Sequence, residues 1–243
     1  MQTSSGSKLD FGRVALLLVV MGVGWCFWDS PAVWPLKLLV VMMHESGHAL
    51  ATLLAGGAVD RVSLAANDSG ACLAHLPTGL MAQVAVYSAG YVGSALAAAF
   101  LLLATFRFRL RRLVLAASCV GLAVMGVLYA GDSFTLAFCL GTALVLGLAA
   151  KYLPDGGVDM LNLSLAGLSA LYVALDLRSA LWNGAARSAT DAALLSHLTP
   201  VPPWGWAALW SFISLALLGL FARWSLRAAR PEGLGYTLTS SRR

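Results

Sequence analysis

Two histidines, His44 and His48, lie four residues apart with Glu45 directly after the first, in the segment HESGH. On a helix this spacing puts both imidazoles on one face, one turn apart. From there both reach one Zn²⁺ ion at about 2.0–2.1 Å. Glu45 then sits beside the metal without ligating it, placed to accept a proton from water that the metal activates and to pass it to a leaving amine. A chance HExxH is common on soluble helices. Here the segment lies in the middle of an apolar run, where ionisable side chains cost several kcal/mol and by default serve function.

Such a site needs a third protein ligand and an open position for water. Asp176 lies inside the apolar run SALYVALDLRSALW. An aspartate within a span most needs a cation to offset its burial, which favours Asp176 as the ligand over a pairing with Arg178. Asp132 stands at a helix break, Asp155 in a polar LPDGG segment and Asp191 in the polar stretch ARSATDAALL. The other histidines, His75 and His197, fall in expected loops and read as solvated.

The elements that must position these groups are membrane helices. Of 243 residues, 59% are hydrophobic and 11% charged, against about a quarter charged in soluble domains. Mean hydropathy is +0.79. Several apolar blocks reach the roughly 20 residues that cross a bilayer, and β-barrel alternation is absent. The fold class is an all-α polytopic membrane bundle of about seven helices, with one hairpin-like insertion. The helices are expected at 14–28, 35–55, 80–106, two within 113–150 split at Gly131-Asp132-Ser133, 160–182 and 204–226. Residues 151–159 read as a loop. Residues 58–79 are turn-rich, and Asn67-Asp68-Ser69-Gly70 marks a hairpin turn. The chain forms one integral membrane domain: a tail over 1–13, a bundle over 14–226 and a basic tail over 227–243. No small-residue cleavage site follows the first apolar run, so that run is expected to remain as a span.

The net charge of +5 does not indicate nucleic acid. Arg107, Arg109, Arg111 and Arg112 share one short loop, and Arg223, Arg227, Arg230, Arg242 and Arg243 gather around the last span. This is the positive-inside pattern that fixes orientation. Those two groups are four spans apart and agree on one side. Counting back three helices puts the N-terminus on the other side, against Lys8 and Arg13. Either one span is miscounted or the weaker N-terminal signal loses. Cys26, Cys72, Cys119 and Cys139 show no CxxC spacing and read as neither disulfides nor metal ligands.

The sequence resembles the M50 (site-2 protease) metallopeptidases, in their M50B-like branch. The resemblance rests on HESGHALATLLAGG, the small-residue stretch YSAGYVGSAL, LYVALDLRSAL and ATDAALLSHLTPVPPWGWAALW, in family order over most of the chain. It implies an intramembrane zinc endopeptidase in the cell membrane, with His44 and His48 as ligands, Glu45 as base and a membrane-protein substrate. It also implies a β-hairpin at 58–79 that receives substrate by strand addition. Family members often draw the third ligand from a motif ending in LDG. LPDGG at Leu153–Gly157 is similar but opens a loop, and Asp176 has no glycine after it. Asp176 is kept as third ligand and Asp155 as runner-up. The competing function is a catalytically silent or non-proteolytic membrane metal-binding protein, a transporter or chaperone-like relative. Against it, the polar groups concentrate at one site instead of lining a path, and all three motif residues are present.

Overall fold

The structure is a computed structural model that describes residues 9–182 and 190–227, with side chains described throughout except at 173 and 176–182. Lys8, Arg230, Arg242 and Arg243 lie outside the described residues. Eight α-helices and one hairpin are described: α1 (Phe11–Phe27), α2 (Trp34–Leu54), β1 (Ala58–Leu64), β2 (Gly70–His75), α3 (Leu80–Leu102), α4 (Arg111–Tyr129), α5 (Ser133–Tyr152), α6 (Asp155–Trp182), α7 (Asp191–Leu198) and α8 (Pro203–Ser225). A π-helical turn, Leu103–Arg107, extends α3.

Local chemistry sets most boundaries. The Asp10 side chain accepts from Arg13 N at 3.2 Å and caps α1. Asp132 accepts from Thr135 N at 2.8 Å and caps α5, each satisfying an otherwise orphaned helix donor. Pro35 suits the first turn of α2, and Gly56, at φ +83°, ends the chain's helical course. In the hairpin turn Asp68 takes a left-handed φ of 67°, and Ala65 N donates to Ser69 O at 2.8 Å.

Residues 151–159 depart from the expected loop. Helix α5 continues to Tyr152 and α6 already begins at Asp155. The Pro154 carbonyl accepts from Gly157 N at 2.9 Å and Val158 N at 3.1 Å, and an acid in the first turn suits the positive end of the helix dipole. LPDGG is therefore a helix start. His197, expected in a loop, lies on the last turn of α7.

The helices run between two ends. At the first, Asp10 N donates to Leu226 O at 2.7 Å, and Arg13 sits 4.9 Å over the Phe106 ring. Arg111 and Arg112 bind Asp155 at 2.9 and 2.7 Å, and Arg112 also donates to Ala150 O at 2.7 Å. So α1, α4 and α6 start where α3, α5 and α8 finish. The second end holds the hairpin. Gly131 N donates to Val62 O at 2.8 Å, and Leu64 N donates to Thr135 Oγ1 at 2.8 Å. Both contacts tie β1 to the α4–α5 turn.

Helix α2 departs from the expected span pattern. Its start is fastened to the hairpin tip by Lys37–Asp68 at 2.8 Å and by Trp34 Nε1 donating to Ala66 O at 3.1 Å. Beyond its end, a side chain at Gly57 would meet His75 O at the hairpin base. Both ends of α2 thus stay with the hairpin. Among the described residues, four helices are long and apolar enough to cross a membrane: α3 with its π turn, α4, α5 and α8. Three of the seven expected spans, 14–28, 35–55 and 160–182, are not among these four.

Small residues permit close helix contact, as membrane bundles use them. A Cβ on Gly126 would stand 2.6 Å from Cys139 Cβ, whereas one on Gly121 of the same helix meets nothing within 4 Å. Gly121→Ala should hold or raise the unfolding temperature in detergent, since alanine favours helix by about 1 kcal/mol. Gly126→Ala should lower it, overpacking costing about 1–3 kcal/mol. Equal shifts in the two variants, followed by tryptophan fluorescence on heating, would contradict the α4–α5 packing.

Candidate metal centre

The site begins with a close helix crossing. A Cβ on Gly47, the fourth residue of HESGH, would lie 2.5 Å from the Ala89 carbonyl oxygen of α3 and 3.3 Å from Gly90 Cα. Bare glycine lets the two backbones meet there, and the meeting carries His44 and His48 onto α3. His48 Nδ1 lies 2.8 Å from the Val86 carbonyl oxygen. A carbonyl only accepts, so this nitrogen carries the proton and Nε2 keeps its lone pair free for a metal. His44 is held by rings instead: Tyr91 and Tyr172 stand edge-on at 4.6 and 5.1 Å. Trp210 of α8 stacks on Tyr91 at 4.7 Å and donates to Ser88 Oγ at 3.1 Å.

The two Nε2 atoms are 3.0 Å apart. Asp191 Oδ2 completes the group, 3.3 Å from His44 Nε2 and 3.1 Å from His48 Nε2. The three donor atoms all lie within 4.8 Å of one another. Asp191 is placed by Thr190, whose side chain accepts from Ala193 N at 3.3 Å and caps α7. Burial would push the Asp191 carboxyl up, but hydrogen bonds and charge from His44 and His48 hold it well below the usual carboxylate range.

This donor set fits zinc: two imidazole nitrogens and one carboxylate oxygen converge on one point, as in open catalytic sites. Gly90 supports the fit. A Cβ there would land on His48 Nε2 and on the His44 imidazole, so glycine leaves open the space where a metal would sit. Glu45 is 7% exposed and reaches between α2 and β2. A Cβ on Gly70 would stand 2.7 Å from Glu45 Oε1.

These groups line a cleft of about 740 Å³, walled by β2 from Gly70 to Ala74, by Tyr87, and at its mouth by Lys37, Asn67 and Asp68. Its rim is polar enough to admit water. Cys72 faces the cleft, but its thiol is pushed up to about 12, by burial first and then by the charges of Glu45 and Asp191.

His44, Glu45 and His48 come together as the motif spacing requires. Asp176, the expected third ligand, lies on α6 one turn after Tyr172, with its side chain outside the described residues. The described carboxylate at the histidines is Asp191, which sequence reasoning weighed and set aside because it lies beyond the apolar run. Its signal was Thr190-Asp191, a helix-capping pair opening a short apolar helix. The runner-up Asp155 is not brought to the site. It starts α6, held below the usual carboxylate range first by its hydrogen bond to Arg112 and then by Arg111. Seventeen residues separate it from Tyr172, about 26 Å along a helix. His75 pairs with Asp60 at 3.3 Å on the exposed outer hairpin, away from the cleft.

The family model described as Peptidase M50B-like matches residues 14–221. No curated protein and no solved structure matches the chain.

Purified protein should carry about one zinc per chain by elemental mass spectrometry. Asp191→Ala and Gly90→Ala should each bring zinc to background while the helical circular dichroism persists, and Asp155→Ala should keep it. Full zinc in Asp191→Ala would remove that residue from the centre.

Proposed function

Because the chain belongs to the Peptidase M50B-like family of metallopeptidases, we propose that it is an intramembrane zinc endopeptidase cutting a peptide bond of a membrane-bound protein. The observation that carries this reading is the convergence of His44, His48 and Asp191 within 4.8 Å, in a cleft that Glu45 shares. His44 Nε2, His48 Nε2 and Asp191 Oδ2 would hold the metal, leaving a coordination position toward the cleft. When bound, zinc supplies a Lewis acid that polarises the scissile carbonyl and makes water acidic near neutral pH.

The chain's own groups do the rest. Glu45 takes the proton from the attacking water and returns it to the leaving nitrogen, the role that the second residue of HExxH plays. The Val86 carbonyl keeps His48 in the tautomer that offers Nε2. Tyr91, Tyr172 and Trp210 fix the His44 ring and keep bulk water off that side.

Strand β2 is suited to hold the substrate. One edge of the hairpin is occupied, since β1 is tied to the α4–α5 turn. The sheet has only two strands, and among the described residues no backbone hydrogen bond reaches β2 from outside the hairpin. Its free edge lies along the cleft. A substrate segment unwound from its helix can pair there, which satisfies its exposed amides and presents an extended peptide to the metal.

Glu45→Gln should retain zinc and fold while lowering cleavage of a membrane-tethered peptide reporter by at least about 100-fold, the scale of general acid–base catalysis. The amide is nearly isosteric but accepts no proton. Wild-type turnover in this variant, read by gel mobility of the reporter, would refute the mechanism.

A further inference from the structure

Thr52 falls four residues after His48 and eight after His44, on the same face of α2. It is fully buried, and its hydroxyl has no hydrogen-bond partner among the described residues. Helical hydroxyls in apolar surroundings ordinarily donate to the carbonyl one turn back. Ser46 does so to Met42 O at 2.7 Å, Ser94 to Gly90 O at 2.7 Å and Ser118 to Val114 O at 3.0 Å. Thr52 does not. The hydroxyls of Ser211, Ser214 and Ser225 are likewise unpaired among the described residues, but none of them lines the cleft, and Thr52 does.

The side chain is held in place from behind. Gly57 N donates to the Thr52 carbonyl at 2.9 Å, and a Cβ on Gly57 would stand 2.7 Å from Thr52 Cγ2. The methyl group therefore packs against the turn that ends α2, and a β-branched side chain has few other rotamers. Leu76 and Val86 also line the cleft and offer no side-chain hydrogen bond. In such surroundings a hydroxyl is costly until a partner answers it.

The distance from the metal centre matches an extended peptide. Four residues of α-helix advance about 6 Å. Carbonyls on one edge of a strand recur at every second residue, about 6.6 Å apart. A substrate strand paired with β2 turns one edge to the hairpin and the other to the histidines. The scissile carbonyl and the next carbonyl on that second edge are thus spaced as His48 and Thr52 are.

We propose that Thr52 is a substrate-binding residue whose hydroxyl donates to the main-chain carbonyl two residues from the scissile bond, on the side of the hairpin base. The contact, which rests on the endopeptidase reading, is made to backbone and not to a side chain. It selects a segment that extends across the cleft and gives a partner to a carbonyl that unwinding has exposed.

The test uses the full chain in detergent with a membrane-tethered peptide reporter. Thr52→Val keeps the side-chain shape and removes the hydroxyl. It should raise KM about five- to tenfold, the scale of one neutral hydrogen bond, with kcat changed less than about twofold and zinc retained. Thr52→Ser should restore the wild-type KM, and Thr52→Ala serves as a second variant without the hydroxyl. Two further reporters replace the amide two residues from the scissile bond by a trans-alkene, one on each side. One of them should raise the wild-type KM by the same factor and add nothing in Thr52→Val. Additive effects with both reporters overturn the assignment, as does a wild-type KM or a fall in kcat alone in Thr52→Val. Failure of the endopeptidase reading shows separately, as no cleavage by zinc-loaded wild type. The contact is then read from reporter affinity for the Glu45→Gln protein, which needs no turnover: adding Thr52→Val should weaken it by the same factor, and equal affinity overturns the proposal.

Discussion

The backbone contact between α2 and α3 is the constraint on which the rest of the site depends. Gly47 has no Cβ to keep Ala89 and Gly90 away, so the two helices close until His48 reaches the Val86 carbonyl. Gly90 then leaves empty the volume that both imidazoles face. A larger residue at either position would separate the helices or fill the metal's place. In a bilayer, where lipid competes equally for apolar surface, such small-residue contacts supply much of the association between helices. The same contact therefore stabilises the bundle and shapes the donor set.

Burying ionisable groups creates a debt that they settle among themselves. His44, Glu45 and His48 are each less than a tenth exposed, and an isolated charge in such a place is strongly unfavourable. Asp191 answers both imidazoles with one oxygen, and a cation held among the three would complete the balance. Ring contacts from Tyr91 and Tyr172 hold the His44 imidazole from the side. On the other wall Glu45 borders the cleft beside the bare Cα of Gly70.

The hairpin solves a problem that a helix cannot. A peptide in an intact membrane helix has its amides engaged and its scissile carbonyl shielded. Strand β1 is tied to the α4–α5 turn through Gly131 and Thr135, while among the described residues no backbone hydrogen bond reaches the outer edge of β2. Helix α2 runs along this hairpin and is fastened to its tip by Lys37 and Asp68.

The sequence by itself determined the chemistry that depends on local spacing. Histidines four residues apart meet on any helix, and Glu45 follows from being next in line. Apolar blocks, the Gly131-Asp132 break and the Asn67-Gly70 turn likewise act through neighbours in the chain, so α1 to α5 and the hairpin are legible. The third carboxylate was not. Asp191 stands 143 positions from His48, and no periodicity links residues that distant. Burial favours Asp176, whose side chain lies outside the described residues, because hydropathy registers the cost of a charge in an apolar run and gives no weight to Asp191 outside it. The LPDGG segment was misread for a related reason: Pro154 ends one helix, yet its carbonyl also starts another, and glycine composition alone favours a loop. Helix α2 is expected from the sequence as a span, but it is not among the described helices long and apolar enough to cross a membrane. Only its tertiary contacts, Lys37 to Asp68 at one end and Gly57 against His75 at the other, decide that it lies along the hairpin, since direction in a bundle is set by packing partners and not by composition.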